Sequence, residues 1–97
     1  MSLSTHVLDA TTGRPAAGIR VELRGIASGQ TDADGRCRLV DGDLPPGDQE
    51  LVFETGSYFP DTFYPRVTVA FTVTDRAAHH HVPLLLSPWA YTTYRGS

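Results

Sequence analysis

The chain has no lysine and, among its 97 residues, one cysteine, Cys37. A single cysteine excludes any disulfide within the chain, so no loop is stapled covalently, and it fits a reducing compartment. Without lysine, all positive charge falls to Arg14, Arg20, Arg24, Arg36, Arg38, Arg66, Arg76 and Arg95, which are scattered along the sequence. A net charge of -3, a pI near 5.7 and no basic cluster argue against nucleic acid as a partner. The planar guanidinium suits bidentate recognition of anionic or carbonyl-rich ligands, although compositional bias would give the same count. No apolar run approaches the ~20 residues of a membrane-spanning helix. The polar start Met1-Ser2-Leu3-Ser4-Thr5-His6 is no signal peptide, so a soluble, cytoplasmic protein is expected. Repeats, linkers and low-complexity tracts are missing too. One domain over residues 1–97 is therefore predicted, burying roughly 60–65% of its unfolded surface, a modest core that oligomerisation often supplements.

What is present is alternation. Leu3 to Asp9 predicts a strand, closed by the turn formers of residues 9–15. In residues 19–24, Ile19, Val21 and Leu23 share one face and Arg20, Glu22 and Arg24 the other, the period of a half-buried antiparallel strand. Gly25 permits a tight reversal into a weaker strand over residues 26–31, and Asp32-Ala33-Asp34-Gly35 predicts the next turn. Residues 36–40 put Cys37 and Leu39 on one face, Arg36 and Arg38 on the other. Residues 41–48, with Gly42, Pro45, Pro46 and Gly47, predict a loop. Leu51 and Phe53 mark the inner face of residues 49–55, and Val67, Val69, Phe71 and Val73 mark the cleanest strand. Pro60 and Pro65 leave room for at most one helical turn between these two. Residues 79–86 alternate again, with Val82, Leu84 and Leu86 inward and His79 and His81 outward. Seven or eight short strands with almost no helical period predict an all-β, two-sheet sandwich.

Several residues are candidates for chemistry. His6 shares a face with Ser4 and Leu8, opposite Leu3, Thr5 and Val7, so it need not enter the core; by itself it is an ordinary strand histidine. The His79-x-His81 pair could grip zinc, but structural zinc wants four protein ligands and catalytic zinc three, and His6 supplies a third only if its strand lies alongside. Without metal, imidazoles near pKa ~6.5 move protons at neutral pH. Arg36 follows the Asp34-Gly35 turn, where a side chain can reach a ligand, while Arg38 reads as a solvated strand residue. Ser97 lacks a nucleophile-elbow context. Pro83 removes a ladder donor, which predicts a bulge or a donor position paired with nothing. Trp89 is expected to cap the Ser87-Pro88-Trp89-Ala90 turn as an apolar contact.

Six segments together resemble one family: Leu3-Ser4-Thr5-His6-Val7-Leu8-Asp9, Thr12-Gly13-Arg14-Pro15-Ala16, Asp34-Gly35-Arg36, Thr55-Gly56-Ser57-Tyr58-Phe59, residues 81–88 and the terminal Tyr94-Arg95-Gly96-Ser97. The chain is similar, along its whole length, to the 5-hydroxyisourate hydrolases, transthyretin-related enzymes of purine catabolism. The terminal tetrapeptide is the most specific part, since hormone-carrying transthyretins lack it. The resemblance implies a prealbumin-like sandwich of two four-stranded sheets and a homotetramer with sites at the dimer–dimer interface. It also implies hydrolysis of 5-hydroxyisourate without metal or cofactor. Carried over, the catalytic residues are His6, His81 and Ser97, and the substrate-binding residues Arg36, Tyr94, His79 and Arg95. The turn at Arg24-Gly25 and the segment after Tyr58 are shorter than in relatives, so a trimmed edge strand and helix are expected. The other class in view is a non-catalytic transthyretin-like protein that binds a small aromatic ligand.

Overall fold

The computed structural model describes residues 2–97; Met1, the first residue of the polar start, lies outside them. Two sheets face each other across one apolar core. The strands are β1 (Ser2–Asp9), β2 (Arg14–Pro15), β3 (Arg20–Leu23), β4 (Ala27–Gln30), β5 (Arg36–Asp41), β6 (Gly47–Phe53), β7 (Val67–Val73), β8 (His79–Leu86) and β9 (Tyr91–Thr93). The first sheet runs β2-β1-β8-β9, with β5 also paired to β1; the second runs β4-β3-β6-β7. β5 takes residues 2–6 of β1 and the two-residue β2 takes residues 8–9. Setting β2 aside, the architecture is two sheets of four strands, as expected. The single 3-10 turn among the described residues, Thr55–Ser57, precedes Pro60 and Pro65, and no helix forms between those prolines. No helix among those residues is long and apolar enough to cross a membrane.

Period two sorts the core. Leu3 and Val7 of β1, Val21 and Leu23 of β3, Leu51 and Phe53 of β6, Val67 and Val73 of β7, and Val82, Leu84 and Leu86 of β8 are all buried. Buried hydroxyls are satisfied. Thr5 donates to the Val82 carbonyl (2.6 Å), and Thr31 donates to the Ala16 carbonyl (2.7 Å) while accepting from the Ile19 N–H (2.9 Å). Leaving them unpaired would cost about 1–3 kcal/mol each. Asp9 is buried at the end of β1, and burial pushes its carboxyl upward. Hydrogen bonds from the Thr11 hydroxyl and N–H and from the Tyr58 hydroxyl outweigh this and hold it below the ordinary aspartate value.

Three local expectations change. Arg14 and Pro15 are not only turn residues: they pair with Asp9 and Leu8, because the Thr12–Gly13 reversal brings them back alongside β1. The loop before β6 is shorter than residues 41–48, since Asp41 ends β5 and Gly47 opens β6. Trp89 caps nothing and is 70% exposed. The β8–β9 turn is instead closed by Ser87, whose N–H and hydroxyl both bond Ala90.

Pro83 sits inside β8 with a consequence for the tail. The Gly96 N–H donates to the His81 carbonyl (2.8 Å), so the backbone of residue 83, two further on, turns to the same edge. Having no N–H, it cannot continue the ladder there. β9 ends at Thr93, whose hydroxyl donates to the Pro83 carbonyl (2.8 Å), and pairing resumes only at the His81–Gly96 bridge. Tyr94 and Arg95 are exposed in between.

Candidate active site

The outer face of the first sheet gathers the polar side chains that alternation leaves out of the core. β1 and β8 run parallel in a register that pairs Ser2 with His79, Ser4 with His81 and His6 with Pro83. β5, antiparallel on the far side of β1, sets Arg38 beside Ser4 and Arg36 beside His6. Ser4, Arg36, Arg38, His79 and His81 border an open cavity of about 300 Å³, room for a small ring system.

His81 has a perturbed pKa there. Its ring lies half-buried, and Ser4 Oγ is 2.8 Å from its Nδ1. Loss of solvent lowers its pKa below the ordinary histidine value, and the charges of His79, His6 and Arg36 act the same way; hydrogen bonding to the Ser4 main chain opposes them. The result is an imidazole that is neutral at neutral pH. His79 stacks beside it, with ring centroids 6.3 Å apart, and bonds the Ser2 hydroxyl through Nδ1.

The two arginines differ. Arg38 is tied to Asp41 in an ion pair. The Arg36 guanidinium has neither a hydrogen bond nor an ion pair among the described residues and is left to meet a ligand. Its position is set by Asp32, whose carboxylate accepts the Asp34 N–H (2.8 Å) and the Arg36 N–H (3.0 Å). Chiefly because of the Arg36 N–H, and against the effect of burial, that carboxyl is held below the ordinary aspartate value. Gly35, at φ +74°, completes the turn; a Cβ there would strike the Val7 carbonyl and come within 3.1 Å of Pro15. The turn also orients His6. Its Nε2–H donates to the Asp34 carbonyl (2.9 Å), and a carbonyl only accepts, so the ring nitrogen left for a ligand is Nδ1.

The tail approaches from the β9 side. Besides the backbone bond to His81, Gly96 presses on its ring: a Cβ at residue 96 would lie 2.5 Å from His81 Cδ2 and 3.3 Å from Pro83 Cγ. Tyr94 and Arg95 line a second cavity of about 300 Å³ with Phe71 and His80, and His81 borders both. His6 and Ser97 line neither. Within one chain, then, His79, His81 and Arg36 share a cavity with His6 beside it, while Tyr94 and Arg95 open on another. Among the described residues no group of three or more His, Cys, Asp or Glu side chains is placed to hold a metal. Ser2 and Ser4 escaped the sequence reading, as did the clamp Asp32 puts on its turn; an Asp two and four residues before the N–H groups it caps was the one available signal.

Comparison with known proteins fits this geometry. The profile of the HIUase/Transthyretin family matches residues 3–96. A 5-hydroxyisourate hydrolase of Salmonella dublin is 42% identical over 109 residues, covering 98% of this chain and 80% of the relative. The solved structure of Klebsiella pneumoniae 5-hydroxyisourate hydrolase superposes with a TM-score of 0.88 at 37% identity over 100% of both chains. Sea bream transthyretin in complex with thyroxine superposes with a TM-score of 0.86 at 30% identity, over 97% of this chain and 93% of that one.

Proposed function

The chain belongs to the HIUase/Transthyretin family, and from that premise we propose that it is a 5-hydroxyisourate hydrolase of urate degradation, acting in the cytoplasm. The product is 2-oxo-4-hydroxy-4-carboxy-5-ureidoimidazoline. Water attacks a ring carbonyl, the carbonyl carbon–ring nitrogen bond breaks, and a carboxylate forms. The chemistry needs a base that is neutral at working pH, donors where negative charge develops on oxygen, and a clamp for the planar substrate edge. His81 takes the proton of the attacking water and returns it to the departing nitrogen; His6, with Nδ1 open, holds the water. Arg36 clamps the carbonyl edge, with Tyr94, His79, Arg95 and the Ser97 hydroxyl completing the binding surface. The route calls on no metal or cofactor.

The observation that carries this is His81: a pKa lowered by burial and by neighbouring charge, beside the unpaired Arg36, in a cavity of substrate size. The proposal includes a homotetramer with its sites at the dimer–dimer interface. In favour of that, the tail residues and Arg36 open on different cavities of one chain, and β7 and β9 are open sheet edges. A non-catalytic small-ligand-binding protein is the second reading, favoured by the likeness to thyroxine-bound sea bream transthyretin. It gives no part to a neutral imidazole beside a free guanidinium.

Urate freshly oxidised by urate oxidase provides the test, since 5-hydroxyisourate absorbs in the ultraviolet and decays spontaneously. Added protein is expected to accelerate that decay catalytically, at protein concentrations far below the substrate's. An unchanged decay rate with retained binding would favour the carrier.

A further inference from the structure

We propose that Ser4 is a positioning residue for His81: one hydroxyl, shared with His79, locks the His81 ring as the Nδ1–H tautomer and leaves Nε2 bare. The choice of tautomer rests on the hydrolase reading; the coupling of the two rings through Ser4 does not.

The parallel register of β1 and β8 makes a row of alternating hydroxyl and imidazole. The Ser2 hydroxyl meets His79 Nδ1, Ser4 Oγ stands 3.4 Å from His79 Nε2, and the same Ser4 Oγ stands 2.8 Å from His81 Nδ1. A serine hydroxyl has a single hydrogen to give. Placed between two ring nitrogens, Ser4 donates to one and accepts from the other, so the tautomers of the two histidines are tied together. If its hydrogen goes to His79 Nε2, His81 must present Nδ1–H; if it goes to His81, His79 must present Nε2–H.

The proposed chemistry selects the first arrangement. In the second, His81 Nδ1 accepts from Ser4 and Nε2 carries the hydrogen, so the neutral ring has no lone pair free for water. The Ser2 hydroxyl, both donor and acceptor, serves His79 Nδ1 in either case. With Nδ1 protonated, the lone pair of neutral His81 is on Nε2, the nitrogen not bonded to Ser4 and therefore the one left to take a proton from water. The exposed His79 then acts through Ser4, by holding the hydroxyl hydrogen away from His81.

Ring-nitrogen shifts of the 15N-labelled full chain above pH 7 test the tautomer without any variant. A protonated Nδ1 and a bare Nε2 on His81 are expected; an Nε2–H tautomer overturns the proposal. Turnover tests the consequence. Ser4→Ala is expected to lose roughly 10- to 100-fold in kcat with KM nearly unchanged, part of the 10²–10⁴-fold that a placed base supplies. Ser4→Thr, which keeps the hydroxyl, should recover most of the loss. Wild-type kcat in Ser4→Ala, or equal damage in both variants at unchanged melting temperature, overturns it. If the wild-type chain cleared no 5-hydroxyisourate, the hydrolase reading would fall, while the ring shifts would still decide the tautomer.

Discussion

His80 and His81 are neighbours in one strand and have opposite surroundings. His81 faces outward, half-buried, with Ser4 at 2.8 Å, Arg36 and His6 within electrostatic reach and the tail glycine against its ring. His80 faces the sandwich interior, 5% exposed, with Nδ1 buried and without a hydrogen-bond partner among the described residues, and the Phe71 ring lies 6.4 Å away. The same side-chain chemistry is therefore placed in two ways by one step of the pleat. What separates the proposed proton carrier from a space filler here is supporting polar groups, and the parallel pairing with β1 supplies those on the outer face.

The comparison breaks most visibly at the tail. Gly96→Ala adds a methyl group where His81 Cδ2 already stands 2.5 Å away, so the ring must rotate off Ser4 or the tail must lift. Either movement loosens the proposed base, and a fall of roughly tenfold or more in kcat is expected, a fraction of what a placed acid–base group contributes. Thermal unfolding should barely change, because residue 96 is an isolated bridge at the chain end. A normal rate would show that the tail does not position His81.

A smaller effect is expected inside. His80→Phe removes a buried nitrogen that has no partner among the described residues and fills part of the cavity it borders with Phe71. Relief of an unsatisfied polar atom predicts a gain of about 1 kcal/mol, readable as a rise of a few degrees in melting temperature. A lower melting temperature would mean that His80 has a partner in the assembly.

The smallest effect is in pH. Burial first, then His79, His6 and Arg36, push the His81 pKa down, so it is neutral in the folded chain at pH values where an unfolded histidine is already charged. Activity should hold through pH ~6.5, the ordinary histidine value, and fall only as pH drops through the lower folded value. Stability follows the same sign. The contribution of neutral His81 is present above the unfolded pKa and is lost as pH falls through the folded one. An acid limb at or above 6.5 would assign the base to another group.

Much of the fold was legible because alternation is a local signal: Val21 and Leu23, Leu51 and Phe53, and Val82, Leu84 and Leu86 each announce their face in a few residues. Pro83 was legible as an unpaired donor position, and Pro60 and Pro65 after Tyr58 as a limit on helix. The rest depended on contacts between distant residues. Arg14 and Pro15 pair with β1 only because a turn returns them, and nothing in two residues marks a strand. Ser2 and Ser4 are unremarkable by themselves. Their bonds to His79 and His81 arise from a parallel register between strands 77 residues apart, which no local pattern encodes. Trp89 misled because a large apolar side chain next to a turn suggests burial, whereas Ser87 closes that turn with backbone and hydroxyl bonds.

The claim that chemistry occupies the outer face and packing the inner one is tested most directly by two variants one residue apart. Clearance of freshly made 5-hydroxyisourate would be timed for His81→Ala and His80→Phe beside the parent chain, with all three folded. A loss of roughly 10²–10⁴-fold is expected for His81→Ala, the range of a general base, with His80→Phe within about threefold of the parent. Equal rates for the two variants, or the larger loss in His80→Phe, would contradict the account.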